Sequence, residues 1–152
     1  MQKITPNLWF KGNAVEAVNF YLSVFPDSKI ITTSYYPTEG LLDFQKEFAG
    51  KPLAIYFSLM GMEFVAINAG NEFTFNEAVS FNISCKDQRE IDYYWQKLAL
   101  DGGEESVCGW CKDKYGLSWQ INPENIENLM LKPGAWSKLL EMKKIVIKEL
   151  EG

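Results

Sequence analysis

The stretch I-T-P-N-L-W-F-K-G-N-A-V-E-A-V-N-F-Y, residues 4–21, has a counterpart in V-S-F-N-I-S-C-K-D-Q-R-E-I-D-Y-Y-W, residues 79–95. Both begin with the alternation of a strand and pass into the spacing of a helix. In the first, Ile4, Leu8 and Phe10 share one strand face, and Thr5, Asn7 and Trp9 share the other. Lys11-Gly12-Asn13 turns the chain into a helix with an apolar stripe of Ala14, Val18, Tyr21 and Phe25, while Glu16, Asn19 and Ser23 look outward. In the second, Val79, Phe81, Ile83 and Cys85 alternate against Ser80, Asn82 and Ser84. Asp87 is placed to cap the helix that follows, with Glu90 three residues on, and Ile91, Tyr94, Trp95 and Leu98 form its buried stripe. Asn13 to Phe20-Tyr21 and Asp87 to Tyr94-Trp95 have the same seven-residue offset. The spacing predicts two copies of one strand-and-helix module.

Working outward, a strand rich in β-branched residues runs from Lys29 to Tyr36, and a polar loop covers 37 to about 50. Residues 52–60 and 62–69 read as a hairpin turning at Gly61, with Leu53, Ile55, Phe57 and Leu59 on one face. Gly70-Asn71-Glu72, with Asn76-Glu77 beyond, separates the copies. In the second copy Asp101-Gly102-Gly103 ends the helix, strands near Glu105–Cys111 and Leu117–Asn122 form a hairpin, and Pro123 stops it. A short turn or helix covers 124–131, and a final helix runs from Trp136 to Leu150 with Trp136, Leu139, Val146 and Leu150 mainly on one side. Residues 1–152 then make one domain, with modules at about 1–70 and 77–123 and a C-terminal extension at about 124–152.

At 152 residues, 47% hydrophobic and 14% aromatic, the chain is globular and long enough for a real core. No apolar run reaches the length of a membrane span, and residues 1–10 lack the regions of a signal peptide, so no membrane partner and a cytoplasmic location are expected. The formal charge is −5, Arg89 is the only arginine, and Lys143, Lys144 and Lys148 are interleaved with Glu141, Glu149 and Glu151. That leaves no basic stripe for phosphates, so nucleic acid is not expected as a partner. An acidic chain more easily attracts a cationic or neutral ligand. Three cysteines suit a reducing compartment. Cys108-Gly109-Trp110-Cys111 has the spacing of a thiol redox motif, but Lys112 to Gly116 reads as a turn and not as a helix, which predicts unreactive thiols. Three cysteines and no histidine do not make a structural zinc site.

Three strands carry polar side chains on one face: Thr5 with Asn7; Ser80 with Asn82 and Ser84; Ser118 with Gln120 and Asn122. Such a face is either solvated or the lining of a cleft. Trp9 on the first of them favours the cleft, since a Trp on a wet sheet is unusual. Glu63, Glu77, Asp113 and Lys114 are further candidates for acid/base or ligand contacts, against the plain reading of solvated carboxylates and a charged hairpin tip. Trp110 and Trp119 suit either a bound aromatic or packing, and Cys85 lies on an apolar face as inert core.

The stretches N-L-W-F-K-G-N-A-V-E-A-V-N-F-Y, G-M-E-F-V-A-I-N-A-G and C-G-W-C-K-D-K-Y-G-L-S-W-Q-I-N-P resemble the PhnB-like proteins, often labelled demethylubiquinone methyltransferase-like. These belong to the glyoxalase, bleomycin-resistance and dihydroxybiphenyl dioxygenase superfamily, the vicinal oxygen chelate fold. The resemblance spans roughly residues 4–150, and the D-K-Y-G-L-S-W-Q string is its most specific part. It implies an α+β fold: two βαβββ modules forming a cupped, mostly antiparallel eight-stranded sheet with helices outside, and a homodimer. Metal-using members place ligands on the first strand of each module and the last strand of the second. Those positions correspond here to Thr5 (or Asn7), Ser80 and Gln120, with Ala66 or Asn68 at a fourth-strand position. Hydroxyls and amides without a fixed anion are poor ligands for a divalent ion, so no metal centre and no cofactor are expected, though an atypical divalent site is an open alternative. The methyltransferase label lacks its usual support, because no glycine-rich strand-to-helix loop with a following acid is present.

Together these readings predict a small-molecule-binding protein. Thr5, Asn7, Asn68, Ser80, Asn82 and Gln120 would supply hydrogen bonds, and Trp9, Tyr56 and Trp119 aromatic surface. The alternative is an enzyme of the same superfamily, a lyase, dioxygenase or methyltransferase-like protein, with an atypical metal or acid/base site built from groups such as Glu63, Glu77 or Asp113.

Overall fold

The computed structural model describes residues 2–152. The chain divides into two compact units, one reaching Thr74 and the other running from Phe75 to Gly152. The first contains β1 (Asn7–Phe10), α1 (Ala14–Val24), β2 (Ser28–Tyr35), a 3-10 turn (Asp43–Phe48), β3 (Pro52–Leu59) and β4 (Met62–Asn68). The second contains β5 (Ser80–Cys85), α2 (Gln88–Tyr94) continued by a π-helical turn (Trp95–Leu100), β6 (Glu104–Glu105), β7 (Trp110–Lys112) and β8 (Ser118–Pro123). Three short helices follow: α3 (Ile126–Leu129), α4 (Ala135–Leu140) and α5 (Ile147–Glu151). Among the described residues no helix is long and apolar enough to cross a membrane.

Each unit forms a four-stranded sheet, in the orders β1-β4-β3-β2 and β5-β8-β7-β6. The first and last strand of each copy run parallel, and the remaining neighbours are antiparallel. The identical order in both units is the structural form of the repeat read from the sequence. It places the first strand of each module beside the last, so side chains from segments distant in sequence share a row.

In the first unit, α1 buries Ala14, Ala17, Val18, Tyr21 and Val24. Tyr21 stacks on Phe57 of β3 with ring centroids 6.4 Å apart and meets Phe10 of β1 at 6.4 Å. Truncating a buried ring of this kind costs about 3–5 kcal/mol. In the second unit Asp87 caps α2 as predicted, its Oδ1 accepting from Glu90 N at 2.9 Å. The stripe of Ile91, Tyr94, Trp95 and Leu98 is buried.

Two expectations are corrected. The first strand begins at Asn7, not at Ile4, and Ile4 is exposed instead of facing the core. The predicted single helix from Trp136 to Leu150 is two short helices with an irregular stretch of turn and bends between them. The carbonyls that a continuous helix would use internally serve other segments: Met142 O accepts from Cys108 N at 2.8 Å and Lys143 O from Gly109 N at 2.9 Å. Gln88 bridges the next step, donating to Ile145 O at 2.9 Å and accepting from Ile147 N at 2.8 Å. Ile145 is thereby sealed into a core of Leu129, Leu139, Met142 and Leu150, while Trp136 is left exposed.

Candidate functional site

Strand register in the second unit lines up the polar side chains that the sequence singled out. Ser80 pairs with Ser118, Asn82 with Gln120 and Ser84 with Asn122 across the parallel β5–β8 pair. The antiparallel neighbour β7 adds Lys112 opposite Ser118 and Trp110 opposite Gln120. Paired residues share a face, so Ser80, Ser118 and Lys112 form one row, and Asn82, Gln120 and Trp110 the next. Side chains on this face bond diagonally: Gln120 Nε2 donates to Ser80 Oγ at 2.9 Å, and Asn122 Nδ2 donates to Asn82 Oδ1 at 2.6 Å. Asn82 Nδ2 donates in turn to Ser84 Oγ at 3.2 Å. Ser80, Asn82 and Gln120 thus lie next to one another on β5 and β8.

Ser118 is different. Its side chain is enclosed, at 1% exposure, and among the described residues its Oγ has no hydrogen-bond partner. The residue borders a recess of about 270 Å³ shared with Lys112, Trp110, Glu77 and Glu104. Lys112 forms an ion pair with Glu77, which raises its ammonium pKa above the ordinary lysine value, the direct hydrogen bond being the main cause.

In the first unit, Asn7 lies beside Val65, and Val65 beside Tyr56, while Trp9 lies beside Ile67, which neighbours Ala54. Asn7 is exposed and folds its Nδ2 back on Thr5 O at 2.9 Å, and Tyr56 is half-exposed on the same face. Thr5 precedes the strand and is only half-buried. Trp9 borders a cavity of about 400 Å³ together with Tyr36, Phe44, Phe48, Leu53 and Ile67. Most of these wall residues were missed in the sequence. Phe44 and Phe48 lie in the segment read as a polar loop, and their apolar spacing within it was the available signal.

Several candidates serve the fold instead. Asn68 is buried on the helix side of β4: its Oδ1 accepts from Ala14 N at 3.2 Å, its Nδ2 donates to Pro52 O at 2.9 Å, and its carbonyl accepts from Tyr36 OH at 2.6 Å. Trp119 is buried with its indole N–H on Asp113 Oδ2 at 2.9 Å. Asp113 Oδ1 also accepts from Tyr115 N and Leu117 N, at 2.8 and 3.2 Å, so this carboxylate builds the hairpin turn and is 3% exposed. Its acceptors are spent. Cys85 and Cys111 are buried, and burial pushes each thiol up to about 12, with nearby carboxylates adding to the shift. Neutral thiols are poor nucleophiles.

The residues at the metal positions of related folds do not fit a divalent ion. Ser80 and Gln120 are neutral and bonded to each other, and Thr5 lies off its strand. Among the described residues no group of three or more His, Cys, Asp or Glu side chains is arranged to hold a metal. The carboxylates nearest this face, Glu77 and Glu104, border the Ser118 recess, where Glu77 is paired with Lys112.

The family described as 3-demethylubiquinone-9 3-methyltransferase matches residues 2–122 of the chain. Among solved structures, the chain is similar to a PhnB protein from Bacillus cereus, provisionally described as a 3-demethylubiquinone-9 3-methyltransferase. The two are 36% identical over 79% of this chain and 98% of that one, with a TM-score of 0.67. It is also similar to protein PA1353 from Pseudomonas aeruginosa, at 17% identity over 82% and 98% of the two chains and a TM-score of 0.60. A variant of the fosfomycin resistance protein FosX from Listeria monocytogenes, solved with Mn(II) and 1S,2S-dihydroxypropylphosphonic acid, aligns at 14% identity over 86% and 99%, with a TM-score of 0.55. At these identities the last two share the fold alone. No protein of curated function matches the chain.

Proposed function

The chain belongs to the 3-demethylubiquinone-9 3-methyltransferase family, a PhnB-like group of the vicinal oxygen chelate superfamily, and on that premise we propose that it binds a small molecule on the hydroxyl-and-amide face of its second module. The observation that carries this reading is the Ser118 hydroxyl, enclosed and without a partner beside an open recess. A buried hydroxyl left unsatisfied costs about 1–3 kcal/mol, a deficit that a ligand donor or acceptor would remove. Around it, Gln120 and Asn82 retain hydrogen-bonding capacity beyond the bonds they make to Ser80, Ser84 and Asn122. Trp110, next to Gln120 in register, supplies an apolar wall. The ligand this favours is neutral or zwitterionic, with a hydroxyl or carbonyl for Ser118 and a flat apolar part for Trp110. The reading is one of recognition without a metal centre.

A ligand screen by thermal shift and calorimetry, preceded by mass spectrometry of co-purifying molecules, tests it. Ser118→Ala should stabilise the unliganded protein by about 1 kcal/mol and weaken the ligand by about tenfold. Gln120→Ala should weaken the ligand similarly. Unchanged affinity in both variants for every ligand found would defeat the proposal. So would a stoichiometric divalent metal in the purified protein whose retention depends on Gln120, which would favour the enzymatic alternative.

A further inference from the structure

The cavity of the first module has a chemistry of its own. Its side-chain lining is aliphatic and aromatic apart from Glu72 and Gln45 and the polar tips of Trp9 and Tyr36. Those tips are turned to the backbone: Trp9 Nε1 donates to Gly70 O at 2.9 Å, and Tyr36 OH donates to Asn68 O at 2.6 Å. What both residues leave for an occupant is ring surface. Tyr36 and Phe48 stack at 5.2 Å and 21°, and Trp9 and Phe73 meet in a T-shaped contact at 4.8 Å. Ring faces carry negative potential and attract cations, most strongly where water is excluded.

Glu72 is the one carboxylate in the lining. A Cβ on Gly70 would lie 2.7 and 2.9 Å from its two carboxylate oxygens, so the charge rests against the residue whose carbonyl holds Trp9. Its field reaches Tyr36, whose phenol is raised above the ordinary value by burial first and by Glu72 second. The nearby cations are Lys11 and Lys51, which border an adjoining groove with Glu47 and with Glu72 itself. Lys11 Nζ donates to Thr74 Oγ1 at 2.8 Å, and Glu72 forms no ion pair with any described residue. No cationic side chain shares the cavity's own lining with it.

We propose that this cavity is a binding site for a compact organic cation: an ammonium or quaternary ammonium group on an aliphatic or aromatic body, the charge at Glu72 and the body among Trp9, Tyr36, Phe44 and Phe48. A volume of about 400 Å³ lies toward the lower end of the range for small-molecule sites. The inference stands on the first module alone and does not depend on the ligand of the second.

Calorimetric titration with benzyltrimethylammonium, against phenylacetate and benzyl alcohol of similar shape, tests it. The cation should bind saturably and about tenfold more tightly than either comparison compound. Glu72→Gln, at an exposed position, should remove most of that preference with folding intact. Leu53→Trp, checked by circular dichroism, should fill the cavity and abolish binding of the cation. No saturable binding of the cation, an equal or greater affinity for phenylacetate, or full cation affinity in Glu72→Gln would overturn the proposal.

Discussion

Asn68 was expected to reach a ligand, yet each of its polar groups is committed to the fold. It supplies the acceptor for Ala14 N that Asn13, at the start of α1, does not provide, since Asn13 Oδ1 takes Lys11 N instead. Strand parity was the missed signal: Phe64, Ala66 and Asn68 alternate onto the helix side, whereas Val65 and Ile67 lie beside Asn7 and Trp9. Asn68→Ala should therefore cost about 1–3 kcal/mol in urea unfolding, by stranding Ala14 N and Pro52 O. Ligand affinity at the second module should not move. Asp113 and Trp119 follow the same logic, because the most specific string of the sequence, D-K-Y-G-L-S-W-Q, is explained by a turn and an indole hydrogen bond.

Elements were legible where the pattern was local. The two amphipathic helices, their buried stripes and the Asp87 cap follow from spacing alone. The C-terminal segment was not, because its carbonyls are claimed by Cys108, Gly109 and Gln88, partners distant in sequence. The glycine pair ending the second helix also has a tertiary role. A Cβ on Gly103 would collide with the carbonyl oxygens of Leu98 and Lys112, where the helix end meets β7. Backbone atoms on both sides cannot give way. Gly103→Ala should destabilise by about 3 kcal/mol or more in denaturant titration. Gly40→Ala should cost only about 1 kcal/mol, for its left-handed backbone, since a Cβ there meets nothing. Equal effects at the two glycines would contradict the packing described.

Over the whole molecule, buried acids that must stay neutral set an alkaline limit. The thiols of Cys85 and Cys111 are raised from 9.0 to about 12, and the Tyr94 phenol from 10.0 to about 12, all chiefly by burial. The unfolded chain loses these protons first, so their contribution is fully present below about pH 9 and is lost as pH rises toward about 12. The urea midpoint should fall between about pH 8 and about pH 10.5, and a Cys85→Ala, Cys111→Ala double variant should fall less steeply. A midpoint independent of pH over that window would show that these groups are not buried as described. The sequence by itself determined the repeat, the acidic balance and the polar face of β5 and β8, because alternation and helical spacing are local consequences of backbone geometry. Only the tertiary structure decided which polar groups are free. Hydrogen bonds and burial depend on neighbours brought together by register and chain folding, so Asn68, Asp113 and Trp119 were absorbed by the fold, while among the described residues Ser118 was left without a hydrogen-bond partner and Glu72 outside any ion pair.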